Sequence, residues 1–232
     1  MKNHSQVVEE QIQYYRDRAS EYDEWFLRQG RYDRGDAHAK QWFAEVTAVQ
    51  SALAHFAPTG KVLELASGTG WWTEQLNQYA DAITAVDSAQ ETIAINKAKL
   101  NSPKISYQQA NIFEWQPAEK FDVVFFSFWL SHVPPERFES FWQMVATALG
   151  ENGRVFIVDS LYTPDSTAKN QFLKTEADTT VTRHLNNGNT YEIVKLFYTP
   201  ELLRQRLEPL GWRCQFDATK NFFIFGGCQR IS

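Results

Sequence analysis

The sequence predicts an α/β fold: a doubly wound, mostly parallel sheet of seven strands with helices on both faces. Five apolar runs between residues 61 and 158 alternate with helical patterns, and this alternation is typical of a parallel sheet covered on both faces. Two later apolar runs, at 212–216 and 222–225, lie close enough to pair as an antiparallel hairpin. A glycine turn after the first run stands where sheets of this kind bind ligands.

The segment 61–73 reads as a buried strand, a tight turn and the first turn of a helix. Gly68 and Gly70 can adopt backbone angles that let a ligand approach the main chain closely. Glu64, at the end of the strand, would oppose a phosphate and favour a cation, an amine or a hydroxyl. The dinucleotide fingerprint G-x-G-x-x-G binds pyrophosphate at such a turn, and Thr73 stands at its third glycine position. The turn therefore disfavours a nicotinamide-dependent oxidoreductase.

Residues 64–70 resemble motif I of the class I S-adenosylmethionine (SAM) methyltransferases, usually acid-x-G-x-G-x-G, with Ala66 in place of the first glycine. The resemblance implies that SAM is the cofactor and S-adenosylhomocysteine the product. It also implies that the glycine loop cradles the amino-acid end of SAM, with Glu64 nearby. The resemblance extends from about residue 14 to the end of the chain, because the seventh strand of that fold is also inserted antiparallel.

Further cofactor contacts are expected after the second and third strands. Asp87 follows the second strand and can accept hydrogen bonds from both ribose hydroxyls; the alternative is a helix cap, which Ser88 of a capping box could provide instead. Asn111 stands where the family often has an acid that meets the adenine amino group. The expected cofactor-binding residues are Tyr14, Tyr22, Glu64, Ala66, Gly68, Gly70, Trp72, Asp87, Ser88, Asn111, Ile112, Phe113 and Ser127.

Two segments outside the alternating pattern are expected to border the site. Residues 6–28 form an amphipathic helical stretch rich in tyrosine. It is similar to the N-terminal segment of small-molecule SAM methyltransferases, which implies a lid, although the tyrosines could instead only pack the helix onto the core. We expect residues 1–35 to form this lid and 36–232 the methyltransferase domain. Within that domain, the polar stretch 160–198 is expected to be a substrate-side insertion after the fifth strand.

The acceptor is expected beside the segment that follows the fourth strand. His132 is the candidate catalytic base, because an unperturbed histidine pKa of about 6.5 suits proton removal at neutral pH; the alternative is a histidine that orders the loop before Pro134. In the insertion, Arg183, with His184 and Lys195, could hold a carboxylate, or the insertion could be a solvated loop. The expected substrate-binding residues are Tyr15, Trp129, His132, Arg183 and His184.

Composition excludes several classes of partner. The chain has 232 residues, 43% of them hydrophobic, and a net charge of −5. The negative net charge argues against a nucleic-acid partner, because nucleic-acid binding normally requires a basic face. We expect no membrane segment, no metal site, a cytoplasmic location and a monomer or homodimer. Cys214 and Cys228 lack metal-ligand spacing, and free thiols are favoured over a disulfide. The motif [DNS]-P-P-[YFW] of amino methylation on DNA bases is absent from the sequence, which favours a small-molecule substrate.

The sequence thus predicts methyl transfer from SAM to a small molecule by in-line displacement. An oxygen acceptor, either a carboxylate or a hydroxyl, is favoured, because the polar residues near the expected pocket offer cations and one imidazole. A small-molecule N-methyltransferase is the main alternative. A nicotinamide-dependent oxidoreductase and a non-catalytic SAM-binding protein remain as weaker alternatives.

Overall fold

The computed structural model describes residues 4–171, 175 and 178–231. Its strands are β1 (Lys61–Leu65), β2 (Ala82–Asp87), β3 (Ile105–Gln109), β4 (Phe121–Ser127), β5 (Leu149–Ser160), β6 (Thr180–His184), β7 (Thr190–Val194), β8 (Trp212–Ala218) and β9 (Phe223–Arg230). Its α-helices are α1 (His4–Asp17), α2 (Tyr22–Phe26), α3 (Asp36–Phe56), α4 (Trp71–Asn77), α5 (Gln90–Leu100), α6 (Phe138–Ala148) and α7 (Pro200–Leu207).

The central sheet has seven strands in the order β3-β2-β1-β4-β5-β9-β8. Strands β1 to β5 pair in parallel, and β9 is antiparallel to both of its neighbours. The predicted fold class is therefore confirmed, including the antiparallel C-terminal hairpin. The order places β1 and β4 side by side at the centre, with the crossover point between them, where sheets of this type bind their ligands.

The sheet is buried on both faces because neighbouring strand residues point to opposite sides. On one face α3 presents a stripe of Trp42, Val46, Val49 and Leu53, each at most 3% exposed, in one cluster with Val62. On the other face α6 packs Trp142 and Val145 against strand residues that include Leu63, Val124, Phe126 and Ile157.

The N-terminal segment differs from the single helix expected over residues 6–28. Helix α1 ends at Asp17, a 3-10 turn follows at Ala19–Glu21, and α2 begins at Tyr22. No glycine or proline marks this break in the sequence. The break turns the chain so that the ring of Tyr22 lies 3.6 Å from the position that a Cβ on Gly68 would occupy.

A second, two-stranded sheet lies within the polar stretch 160–198. Strands β6 and β7 form an antiparallel hairpin, and Tyr14 of α1 packs with Val181, Leu185 and Ile193 of this region. We call α1, α2 and the β6–β7 hairpin together the cap. Residues 1–3 of the expected lid and residues 172–174 and 176–177 of the expected insertion lie outside the described residues.

Two sequence-based expectations concern features away from the site. None of the described helices combines the length and apolar character needed to cross a membrane. Cys214 and Cys228 face each other across β8 and β9, and both are free thiols.

Candidate active site

The glycine turn after β1 bends the main chain through three left-handed positions. Ala66, Gly68 and Gly70 have φ values of +57°, +52° and +95°, a region that glycine enters without steric cost. A Cβ on Gly70 would lie 2.6 Å from Asn96 Oδ1, so this position requires glycine. Ala66 takes the same backbone conformation as the motif glycine that it replaces, although its Cβ makes that conformation less favourable.

Unpartnered polar atoms beneath this turn fit the amino-acid end of SAM. Glu64 is 1% exposed, and neither Glu64 Oε2 nor Ser67 Oγ has a hydrogen-bond partner in the described part of the chain. Burial raises the pKa of Glu64 to about 8, opposed by a hydrogen bond from Thr73. A buried carboxyl group with an open oxygen suits an ammonium group, whose charge would favour its ionised form.

Asp87 is held by two backbone amides at the end of β2. Its Oδ2 accepts from Gly68 N at 2.8 Å and its Oδ1 from Ala89 N at 2.9 Å, and each oxygen keeps further acceptor capacity. The expected capping by Ser88 was wrong: the N-cap of α5 is Ala89, and no side chain caps it. The reason is the register of the helix: α5 begins at Gln90, one residue later than a capping box with Ser88 at the N-cap and Glu91 at N3 requires.

A cavity lies over the turn, at the carboxyl ends of β1, β2 and β4; we call it the cofactor cavity. It includes seven of the residues expected to bind the cofactor: Tyr22, Ala66, Gly68, Asp87, Ser88, Ile112 and Ser127. Thr92 and Phe128 also line it and were not predicted. Phe128 has a φ of +51°, a strained conformation for a bulky residue that is common at functional sites.

Other expected cofactor residues lie around this cavity. Gly70 and Trp72 line an adjoining cleft along the glycine turn, and Glu64 lies beneath the turn. Asn111 is engaged locally, since its Oδ1 accepts from Phe113 N and its Nδ2 donates to Glu114. Phe113 packs against Trp129 at a ring-centroid distance of 5.2 Å.

A second cavity, the cap cavity, lies between the cap and the carboxyl end of the sheet and encloses about 580 Å³ including its open mouth. Its described lining is Tyr14, Tyr15, Arg18, Tyr22, Trp25, Tyr32, Phe128, His132, Ser160, Ser166, Thr167, Gln171, Arg183, Ile193, Lys195 and Phe197. Four residues line both cavities, which therefore adjoin: Tyr15, Tyr22, Phe128 and His132.

The structure distributes the expected substrate residues differently from the sequence prediction. Tyr15, His132 and Arg183 line the cap cavity, as does Tyr14, which was expected on the cofactor side. Trp129 lines the cofactor cavity instead. His184 lines neither cavity: it follows Arg183 on β6, and successive strand residues point to opposite faces. Its carbonyl oxygen accepts hydrogen bonds from Arg31 and Gln171.

The hydrogen-bond polarity around His132 is set by a carbonyl group. Nδ1 lies 2.6 Å from the oxygen of Val194, which can only accept, so Nδ1 carries the proton. Nε2 lies 2.8 Å from Tyr15 Oη and accepts the phenolic hydrogen. Burial first, and then the charge of Lys195, hold the pKa of His132 well below the ordinary histidine value. His132 is therefore a neutral side chain with both ring nitrogens engaged.

Lys195 is a buried cation on the floor of the cap cavity. It is 6% exposed, and its Nζ donates to Ser131 Oγ at 2.8 Å and lies 3.7 Å from Asp159 Oδ1. Burial lowers the pKa of Lys195 to about 8, while the Asp159 charge opposes this shift. Asp159 is itself fixed by the amides of Ser131 and Ser160.

Sequence reasoning missed Arg18, which lines the cap cavity from the cap side. The sequence pattern that could have identified Arg18 is the spacing of Tyr14, Arg18 and Tyr22. These residues recur every four positions and would share one face of a helix. Tyr32 and Gln171 were also missed, because only the fold of the cap brings these distant residues to the cavity.

Known proteins share this architecture. A family described as "Methyltransferase domain" matches residues 62–153. A solved structure described as a DhpI-SAH complex is 34% identical to this chain, with 99% of each chain covered and a TM-score of 0.82. A DhpI-SAM-HEP complex is equally similar, with 99% of this chain and 100% of that chain covered. An uncharacterized methyltransferase of Staphylococcus carnosus (strain TM300) is 27% identical over 103 residues, which span 44% of this chain and about half, 48%, of that protein.

The identity to DhpI over nearly the whole chain shows more than a common fold. The residues that match the family description include the glycine turn and the carboxyl ends of β1, β2 and β4, which border the cofactor cavity. SAM is therefore the cofactor of this protein. The chain belongs to the class I SAM-dependent methyltransferases.

Proposed function

We propose that this protein transfers the methyl group of SAM to an oxygen of an anionic small molecule held in the cap cavity. One observation carries the proposal: the described lining of that cavity includes Arg18, Arg183 and Lys195 and contains no Asp or Glu. Such a lining favours an acid and opposes an ammonium group. The cap cavity also adjoins the cofactor cavity, as transfer between two bound molecules requires.

SAM, when bound, supplies a methyl group on a sulfonium that a nucleophile can displace in line. The protein contributes orientation, which is worth about 7–11 kcal/mol when both reactants are held in line. Arg183 is placed to orient an acid, because its Nη1 donates to Thr167 Oγ1 and Gln171 Oε1, both at 2.9 Å. Both partners are uncharged, so they position the guanidinium without neutralising it.

His132 acts in this proposal by positioning Tyr15. A neutral imidazole whose two nitrogens are already bonded is poorly placed to take a proton directly from the acceptor. An acid that is ionised in the cavity needs no base, because its oxygen already carries the electron pair that forms the new bond. Since Tyr15 donates to Nε2, its oxygen can only accept from groups in the cavity, such as a hydroxyl of the substrate.

The segment 1–35 is proposed to form a lid over the cofactor, and the insertion 160–198 is proposed to lie on the substrate side. Support comes from α2, where Asp23 contacts both Thr69 in the glycine turn and Lys99 at the end of α5. Tyr22 lies over Gly68 in the same segment. These contacts would have to open for SAM to enter.

The direct test uses SAM labelled on its methyl group, with separate panels of small carboxylic acids, phenols and primary amines. The expected result is label transfer to members of the acid panel, with products that release volatile methanol on mild alkali treatment, as methyl esters do. Alkali-stable products from the phenol panel would mean that the acceptor atom is an oxygen of a hydroxyl group and not of a carboxylate. Label transfer confined to the amines would contradict the proposal.

A variant pair then tests the cavity. Arg183→Ala should raise KM for the acid at least roughly tenfold, because a hydrogen bond to a charged group contributes about 1.5–3 kcal/mol. Arg213→Ala removes an exposed arginine of β8 and should leave KM unchanged. Equal KM values in the wild type and Arg183→Ala would place the acceptor elsewhere.

A further inference from the structure

Arg18 is a buried cation without a described counter-charge. Its side chain lies among Tyr14, Tyr22 and Tyr32, and the residue is only 8% exposed. Its Nη2 donates to Tyr32 Oη over a long 3.4 Å, and its Nε has no hydrogen-bond partner in the described part of the chain. No carboxylate of the described residues pairs with it.

A buried charge of this kind is costly unless another group compensates it. The neighbouring Arg31 shows the usual solution, since its Nη2 lies 3.1 Å from Glu21 Oε2. Tyrosine faces offer Arg18 partial compensation, with ring centroids 4.9 Å (Tyr22) and 5.5 Å (Tyr14) from its Cζ. Because Arg18 also lines the cap cavity, the compensating group can be a bound anion.

The same guanidinium is linked to the cofactor cavity through one ring. Tyr22 packs against Arg18 and lies over Gly68, where a Cβ would be 3.6 Å from its ring and its hydroxyl. Tyr22 lines both cavities. An anion that fixes Arg18 therefore also fixes the ring that covers the glycine turn.

We propose that Arg18 binds the anionic group of the acceptor and, through Tyr22, couples anion binding to cofactor binding, so that each ligand raises the affinity for the other. The identity of the anion as the methyl acceptor rests on the proposed function, whereas the anion site and its coupling do not. The ligand class is a small oxyanion, such as a carboxylate, that can accept two hydrogen bonds from one guanidinium.

The test measures the Kd of SAH by calorimetry in sodium malonate, in sodium phosphate and in sodium chloride at equal ionic strength. In the wild type, at least one of the two oxyanions should lower the Kd of SAH roughly tenfold relative to chloride, within the usual range of coupling between sites. In Arg18→Gln the three values should agree. Arg18→Lys, which keeps the charge but loses the planar fork, should show a smaller effect.

Arg206→Gln is the matched control, because this arginine also stacks on aromatic rings, with Cζ 3.9 Å from the centroid of Phe138, but lines none of the cavities described above. It should keep the full oxyanion effect. A Kd of SAH in the wild type that neither oxyanion changes would overturn the proposal, as would an undiminished effect in Arg18→Gln.

Thermal unfolding separates binding from a structural role. Without added oxyanion, Arg18→Gln should be at least as stable as the wild type, since it removes a buried charge that aromatic rings compensate only in part. A marked loss of Tm would instead mean that Arg18 serves to hold the cap together.

If oxyanion coupling is found while no acid is methylated, the anion site stands and the proposed function fails. If acids are methylated without any coupling, the proposed function stands and the coupling through Arg18 fails.

Discussion

At the scale of single residues, Ala66 shows how a motif can be kept without its glycine. Its φ of +57° is the conformation of a glycine in the turn, and holding a residue with a Cβ there costs on the order of 1–2 kcal/mol. Ala66→Gly should therefore leave the free energy of unfolding unchanged or raise it by up to about 1 kcal/mol, since the greater freedom of glycine in the unfolded chain offsets part of the relief. Urea unfolding measures the difference.

Ala94→Gly is the control for this prediction. Ala94 is exposed in the middle of α5, where glycine should lower the free energy of unfolding by about 1 kcal/mol. If Ala66→Gly lost as much stability as Ala94→Gly, the left-handed conformation at Ala66 would not be strained.

Residues around the two cavities were predictable to different degrees. The glycine turn and Asp87 follow from local spacing, because both are fixed by the ends of neighbouring parallel strands. Arg18 could not be assigned a role, since its partners include Tyr32 and the cavity itself, which exist only after the cap has folded. The side chain of His184 was expected beside that of Arg183 in the substrate site. Because successive residues of β6 point to opposite faces, the two side chains are separated.

At the scale of elements, Gln11 joins α1 to the rest of the site. It is 2% exposed; its Oε1 accepts from Val194 N at 3.1 Å and its Nε2 donates to the His132 carbonyl at 3.2 Å. Gln11→Ala leaves two buried backbone groups without this partner, which should cost about 1–3 kcal/mol for each group that stays dry. The expected result is faster amide hydrogen exchange at Val194, with lower stability in urea.

Gln13→Ala provides the matched comparison, because Gln13 is exposed on the same helix and its side chain donates to Asp17, one turn further along. It should change the free energy of unfolding by no more than about 0.5 kcal/mol. Unchanged exchange at Val194 in Gln11→Ala would show that the side chain of Gln11 is not needed to hold α1 on β7.

The elements of the cap were the least predictable part of the fold. The strands of the central sheet are apolar runs whose signal is strong, because both faces are buried. Strands β6 and β7 carry no such signal, since one small cluster around Tyr14 covers them. The break between α1 and α2 has no glycine or proline, so we attribute it to tertiary packing. Arg18 stacks on the ring of Tyr22, and both side chains line the cap cavity.

At the scale of the whole molecule, the charge of the cap cavity depends on pH through Lys195. Burial lowers the pKa of this side chain to about 8 even though Asp159 opposes the shift, whereas guanidinium groups stay charged over the working range of an enzyme. Below about pH 8 the ammonium form prevails and adds one positive charge to the cavity. Above it the neutral amine prevails, and the cavity attracts an anion less strongly.

The pH dependence of kcat/KM for an anionic acceptor should therefore fall as pH rises through about 8, because kcat/KM reports the ionisation of the free enzyme. We expect a fall of roughly tenfold, the lower end of what one hydrogen bond to a charged group contributes. Lys195→Arg keeps the charge and should abolish the fall, while sharing every other titration of enzyme and substrate. Lys195→Met should show a low, flat profile in the same interval. A fall of equal size in the wild type and in Lys195→Arg would assign the titration to another group and remove Lys195 from acceptor binding.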